Sequence, residues 1–207
     1  MACNNNNAPY NKLVLSHEDS IQYLAFVQRA WDTIQTAKSL FKTGDLITRR
    51  GNDFTSESLR QLNQRNQSYS HCGIISIEND SIFVYHALGG EFNPDQKIRR
   101  EKLENFCEPY GNRGFGIFRY TVAQKEIAQS VEEAKMSFQN EIMFDLDFNL
   151  VTNDRMYCAE YVYKSYCKSA TLKAKYHLSH IKDFEFIGVD DLYLHPNCVE
   201  IKRFVYK

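Results

Sequence analysis

The chain has 207 residues, 43% of them hydrophobic, with 14 Phe and 13 Tyr, which suits one domain with a proper core and not a disordered segment. Its net charge is -1 and neither sign dominates a long stretch, which argues against a dedicated nucleic-acid binder. No apolar run approaches the ~20 residues of a membrane span, and the six cysteines form no C-x-x-C pair and suggest no disulfide framework.

The opening "MACNNNNAPYNK" is polar and lacks the apolar centre of a secretory signal, so residues 1–15 read as a flexible terminus. As it stands this points to the cytoplasm; a processed lipoprotein of the cell envelope, starting at Cys3, is the lesser alternative. Ser16 to Phe41 has helical spacing, with Ile21, Leu24, Val27, Trp31 and Ile34 in step and Ser16 or Asp19 as a cap. "TGDLITRR" changes to a short strand opened by a Gly-Asp turn, and "SESLRQLNQRN" reads as a polar helix or ordered loop.

Two apolar runs follow, 69–77 and 81–88, joined by Glu78-Asn79-Asp80 in the manner of a β-hairpin. "FNPDQKIRREKLENFC" reads as a short strand entering a helix, and 114–121 as another strand. Residues 122–139 form an amphipathic helix with Ile127, Val131, Ala134 and Phe138 on one face. "MFDLDFNL" reads as extended, 155–170 as a helix, and the tail as a loop closed by the strand "VEIKRFVY". Helices flanking a small, mainly antiparallel sheet make the chain α+β, without a convincing linker.

The hairpin register decides whether two histidines meet. A two-residue turn sets His71 opposite Leu88, with His86 two residues along on the same face; such diagonal neighbours lie ~7–8 Å apart at Cα. A four-residue turn places the two histidines face to face, and a three-residue turn separates them. Cys158, in "YCAEYVY", falls at the start of a helix, where free N–H groups and the dipole lower a thiol pKa. Docked against a strand bearing His71, it would form a thiolate–imidazolium pair. His86 would orient the His71 ring, and the Cys158 N–H would face an oxyanion.

The segments "TGDLITRR", "YSHCGIISIENDSIFVYHALGG", "FDLDFNLVTNDRMYCAEYVYKSY" and "FIGVDDLYLHPNCVEIKRF", in that order, resemble the permuted, papain-like branch of the NlpC-type cell-wall peptidase superfamily, close to its YiiX-like members. The resemblance covers roughly residues 43 to 204. It implies a permuted papain-like catalytic domain over 16–207, with His71 as base and Cys158 as nucleophile. His86 occupies the position of the third polar residue, where many relatives carry an acid; the imidazole here is a departure.

The reading is a cysteine-dependent hydrolase cleaving an amide or ester through an acyl-thioester on Cys158, acting on a peptide or acyl-containing small substrate. It needs no metal or organic cofactor. The alternatives are a lipid acyltransferase of the same fold and an inactive ligand-binding module. Tyr69 and Tyr157 are candidate substrate-lining residues, although for Tyr69 a packed aromatic fits as well. Cys72 faces away from His71 and reads as core. Asp45 reads as a turn aspartate. His177, His180, His195 and Cys198 make a superficially zinc-like pattern, but histidine-rich sets are unusual for structural zinc. The oligomeric state is open.

Overall fold

In the computed structural model, residues 16–90, 93 and 95–207 are described; the amino-terminal segment and Cys3 lie outside them. The chain begins with helix α1 (His17–Ala37), capped by the Ser16 hydroxyl, which accepts from the Asp19 N–H, and followed by the 3-10 turn Lys38–Leu40. Only the second half of α1 is sealed: Val27, Ala30, Ile34 and Ala37 are buried, while Ile21 and Leu24 stay exposed.

Next come β1 (Leu46–Gly51), α2 (Phe54–Gln61), β2 (His71–Glu78), β3 (Ser81–His86), β4 (Arg99–Lys102), α3 (Leu103–Cys107) and β5 (Asn112–Tyr120). The chain continues through α4 (Gln124–Gln139), α5 (Cys158–Tyr166), α6 (Ala170–Lys173), β6 (Ser179–Ile181), β7 (Phe184–Phe186), α7 (Val189–Tyr193) and β8 (Cys198–Val205). Six strands form an antiparallel sheet in the order β4-β3-β2-β1-β5-β8, and β6 and β7 pair separately. This is the expected α+β architecture.

The hairpin has the two-residue turn. Glu78 pairs with Ser81, and Asn79 and Asp80 take φ of 47° and 61°, the positive values that match the twist of the flanking strands. Gly44 makes the turn into β1 at φ 86°, and a Cβ there would stand 2.1 Å from Ile127 Cγ2, so α4 packs against bare backbone. The following Asp45 is a turn residue as expected: it accepts from the Lys42 N–H at 2.7 Å and binds Arg119 Nε at 2.7 Å.

Alternation along the strands divides the core in two. Leu46, Cys72, Ile74, Tyr85 and Phe118 face α4, α5 and α7. Ile47, Ile75, Val84, Phe115 and Ile117 face α1 and α3. Residues 143–150, expected as extended, keep only the isolated bridges of Met143 to Lys97 and Arg155 and otherwise pass through bends and a turn; the Asp145 carboxylate accepts from the N–H groups of Asp147 and Asn149, which curls this segment locally. The helix expected from 155 starts only at Cys158, which places that cysteine on its first turn.

Candidate active site

Cys158 stands at the amino end of α5, where the preceding Tyr157 is still extended at φ -83°, ψ 172°. Glu160, in the same turn, accepts from the Tyr157 N–H at 3.1 Å and fixes this start. The residue is only 8% exposed. The Cys72 side chain and the backbone N–H groups of Ala159 and Cys72 are close enough to act on it. The Cys72 side chain holds the Cys158 thiol below its ordinary pKa against the pull of burial; the two N–H groups and the Arg49 charge add to this.

The nearby Cys72 N–H marks where the sulfur lies. That N–H belongs to the peptide bond immediately following His71, so the sulfur meets β2 one peptide from the imidazole-bearing residue. The ladder between β2 and β3 ends at Ile74–Tyr85, which leaves the Cys72 N–H, two residues beyond, free of that ladder and near the sulfur. Cys72 points away from His71 as expected and is fully buried. Its thiol nevertheless touches Cys158, a contact that its reading as plain core did not include.

On the other face of the sheet the two histidines meet. His71 Nε2 lies 2.8 Å from His86 Nδ1, with the rings edge to face at 5.0 Å. Phe106 packs on both rings. Gly73 makes room for this: a Cβ there would stand 3.1 Å from His86 Cβ and 2.6 Å from Val84 Cγ1. Burial, Arg49 and His86 together keep the His71 imidazole well below its ordinary pKa, so the ring is neutral. Sequence reasoning expected a thiolate–imidazolium pair. Here the ring is uncharged and lies on the face opposite the Cys72 side chain, and the groups that act on the sulfur are Cys72, Ala159 and Arg49, so the expected pair is not formed in this arrangement.

Two charged residues complete the neighbourhood, neither found by sequence reasoning. Arg49, registered opposite His71 on β1, donates from Nη1 to the Phe106 carbonyl at 2.9 Å and lies over its ring at 4.7 Å. Its charge reaches both His71 and Cys158. Glu101 on β4 puts Oε1 2.8 Å from His86 Nε2, off the axis of the ring N–H, so the contact is bent and not a straight hydrogen bond. Burial pushes Glu101 up, but His86, Arg49 and Arg99 outweigh it and hold the carboxyl below its ordinary value. For Arg49 the available signal was its register against the histidine strand; Glu101 had none without the β3–β4 pairing.

Tyr69 and Tyr157 are packed aromatics, which for Tyr69 is the reading the sequence favoured. Tyr69 is 5% exposed, set edge-on to Phe118 and Tyr193, and burial pushes its hydroxyl up to about 12. Strand alternation had placed it on the face of His71. Ser70 breaks that alternation by donating its N–H to the carbonyl of Arg49, the residue already registered against His71. The Tyr157 hydroxyl accepts from the Ile187 N–H at 2.8 Å, and its ring stacks on Phe148.

The zinc-like residues go separate ways. His180 meets Glu185 at 3.0 Å on the surface, and buried His195 sits against the Leu172 carbonyl. Among the described residues no three His, Cys, Asp or Glu side chains are placed to hold a metal ion. Nor, among them, is any helix long and apolar enough to cross a membrane.

Residues 41–184 match the family described as permuted papain-like amidase enzymes, YaeF/YiiX, C92. A crystal structure described as metalloprotein yiiX from Escherichia coli O157:H7 superposes with a TM-score of 0.63 at 17% identity, covering 79% of this chain and 98% of that one. At that identity the likeness speaks to the fold. No curated protein matches the chain.

Proposed function

The chain belongs to the permuted papain-like amidase family, a family of cysteine peptidases and amidases, and from that premise we propose that Cys158 is its nucleophile and His71 its general base. The substrate is an amide or ester of a small peptide or acyl-containing molecule. In this mechanism the His71 ring, on the first residue of β2, comes to the sulfur's side of the strand, takes the thiol proton as the sulfur attacks the carbonyl carbon, and returns it to the leaving group. Water, activated by the same ring, resolves the acyl-thioester. His86 orients the His71 ring. The N–H groups of Cys72 and Ala159, already aimed at the sulfur, are suited to the oxyanion of the tetrahedral intermediate.

The observation that carries this reading is the sulfur's place. It sits on the first turn of a helix, close to the peptide N–H that follows a buried, neutral imidazole. The related structure is described as a metalloprotein. The donors here do not fit a metal, because both His86 nitrogens are engaged, by His71 and by Glu101, and the remaining histidines are dispersed. No step is therefore routed through one.

The test is a short pulse of iodoacetamide across pH, with Cys158 labelling read by mass spectrometry in wild type and His71→Ala. Labelling well below pH 8 that is lost in His71→Ala is the expected result. An ordinary thiol profile centred near ~8.5 in both proteins would refute the activated pair. Release of product from activated amides and esters, with and without an added amine acceptor, then separates hydrolysis from acyl transfer.

A further inference from the structure

We infer that Glu101 is a positioning residue which, acting through His86, fixes the tautomer of His71 and makes Nδ1 the atom that accepts the thiol proton. The inference rests on the catalytic roles proposed above, but the proton assignment follows from the contacts between the three side chains once both buried rings are neutral.

The accounting starts at the sheet edge. Glu101 Oε1 lies 2.8 Å from His86 Nε2, and an ionised carboxylate can only accept. Nε2 of His86 must therefore carry a hydrogen, since a bare nitrogen there would set two lone pairs against each other. His86 is fully buried, flanked by the cations of Arg49 from β1 and Arg99 from β4, and a neutral imidazole holds one ring proton. Its Nδ1 is then bare. His71 Nε2, 2.8 Å away, must be the donor of that contact. Its ring is neutral as well, which leaves Nδ1 as the free lone pair. Each protonation follows from the one before it, and the first is imposed by Glu101.

The sheet repeats one spatial step to build this chain. Continuing the β2–β3 register sets His86 against Gly73, so His71 is its diagonal neighbour two residues along. On β4, His86 pairs with Arg99, and Glu101 is again two residues along. Both offsets stay on the face lined by Phe106. The acid that many relatives carry at the third position is therefore present here one strand further out, with an imidazole between it and the base.

Glu101→Gln is the informative change, because the amide can either accept from His86 Nε2 or donate to it. In the second state His86 Nδ1 carries the hydrogen and His71 Nε2 must accept, which places a proton on the nitrogen that should be bare. The experiment is a 1H–15N correlation spectrum tuned to histidine ring couplings, recorded on wild type, Glu101→Gln and Glu101→Asp, with the iodoacetamide rate of Cys158 measured on the same samples.

Wild type is expected to show His71 protonated at Nε2 only. Glu101→Gln should show a mixed or reversed tautomer with labelling slowed about tenfold or more, and Glu101→Asp should restore both in part. Wild-type His71 protonated at Nδ1, or a Glu101→Gln spectrum identical to wild type, would overturn the inference. An inert Cys158 with the His71 tautomer as assigned would instead sink the catalytic reading and uphold the role of Glu101 in setting the ring.

Discussion

Glu160 provides a quantitative test of how the helix of the proposed nucleophile is held. Its side chain is fully buried on the first turn of α5, with Oε2 accepting from the Tyr157 N–H and Oε1 2.8 Å from Lys164 Nζ. Burial pushes its carboxyl from 4.5 up to about 7, with Lys164 and the Tyr157 N–H opposing only in part. A carboxyl whose folded pKa is raised binds its proton more tightly folded than unfolded. Between 4.5 and about 7 the folded chain keeps a proton the unfolded chain has released, so stability falls as pH rises through that window. At about 1.4 kcal/mol per pKa unit the loss reaches about 3 kcal/mol, complete above about pH 7.

Glu160→Gln retains an acceptor for Tyr157 and stays neutral at every pH, and Lys164 keeps Asn153 Oδ1 at 3.1 Å. Urea unfolding of both proteins from pH 4.5 to 8 measures the difference. His71 and His86, whose folded pKa values are lowered, contribute the opposite trend, but they contribute it equally to both proteins and cancel. The stability of wild type relative to Glu160→Gln should decline steadily through the window and level off beyond it. A difference that stays flat with pH would show that the carboxyl titrates as an exposed one, and the burial argument would be wrong.

Arg49 acts on both members of the proposed pair, lowering the pKa of His71 and that of Cys158. Arg49→Gln should move the His71 titration up towards 6.5 and the onset of Cys158 labelling to higher pH; a downward move of either would contradict the assigned electrostatics. The Cys72–Cys158 contact predicts a peroxide response. Peroxide oxidises Cys158 to a sulfenic acid with release of water, and the Cys72 thiol displaces a second water to close a disulfide. Peptide mapping should recover the 72–158 link, reversed by dithiothreitol, while Cys72→Ser should proceed to the sulfinic acid. A link from Cys158 to any other cysteine would exclude this pairing.

Periodicity located the helices and strands because it reflects burial, but it left the hairpin register open among two-, three- and four-residue turns; the structure takes the two-residue turn, and with it His71 and His86 meet. Elements whose start depends on a local cap were less legible. The hydrophobic pattern of α5 extends back past Cys158, and only the Glu160 bond to Tyr157 N–H ends the helix where the cysteine becomes its first residue. The short β6, β7 and α7 carry too few residues to show a period. Tyr69 was misplaced because Ser70 interrupts the two-residue alternation, a shift that no side-chain pattern announces.

The missing acid at the third position shows the same boundary between local and non-local information. Read along the chain, His86 looks like the loss of a charge from the relay, because position 86 is where a carboxylate is expected. Read across the sheet, the charge has moved outward by one strand, to a residue fifteen positions later whose relevance depends entirely on β4 pairing with β3 in one register. Shifting that register by a single residue would turn Glu101 to the opposite face and leave the buried His86 Nε2 facing no acceptor. The sheet edge is therefore under a polar constraint as strict as that of any core position. A chain with an imidazole at position 86 needs the β4 edge strand in this register to hold the His71–His86 pair in one tautomer.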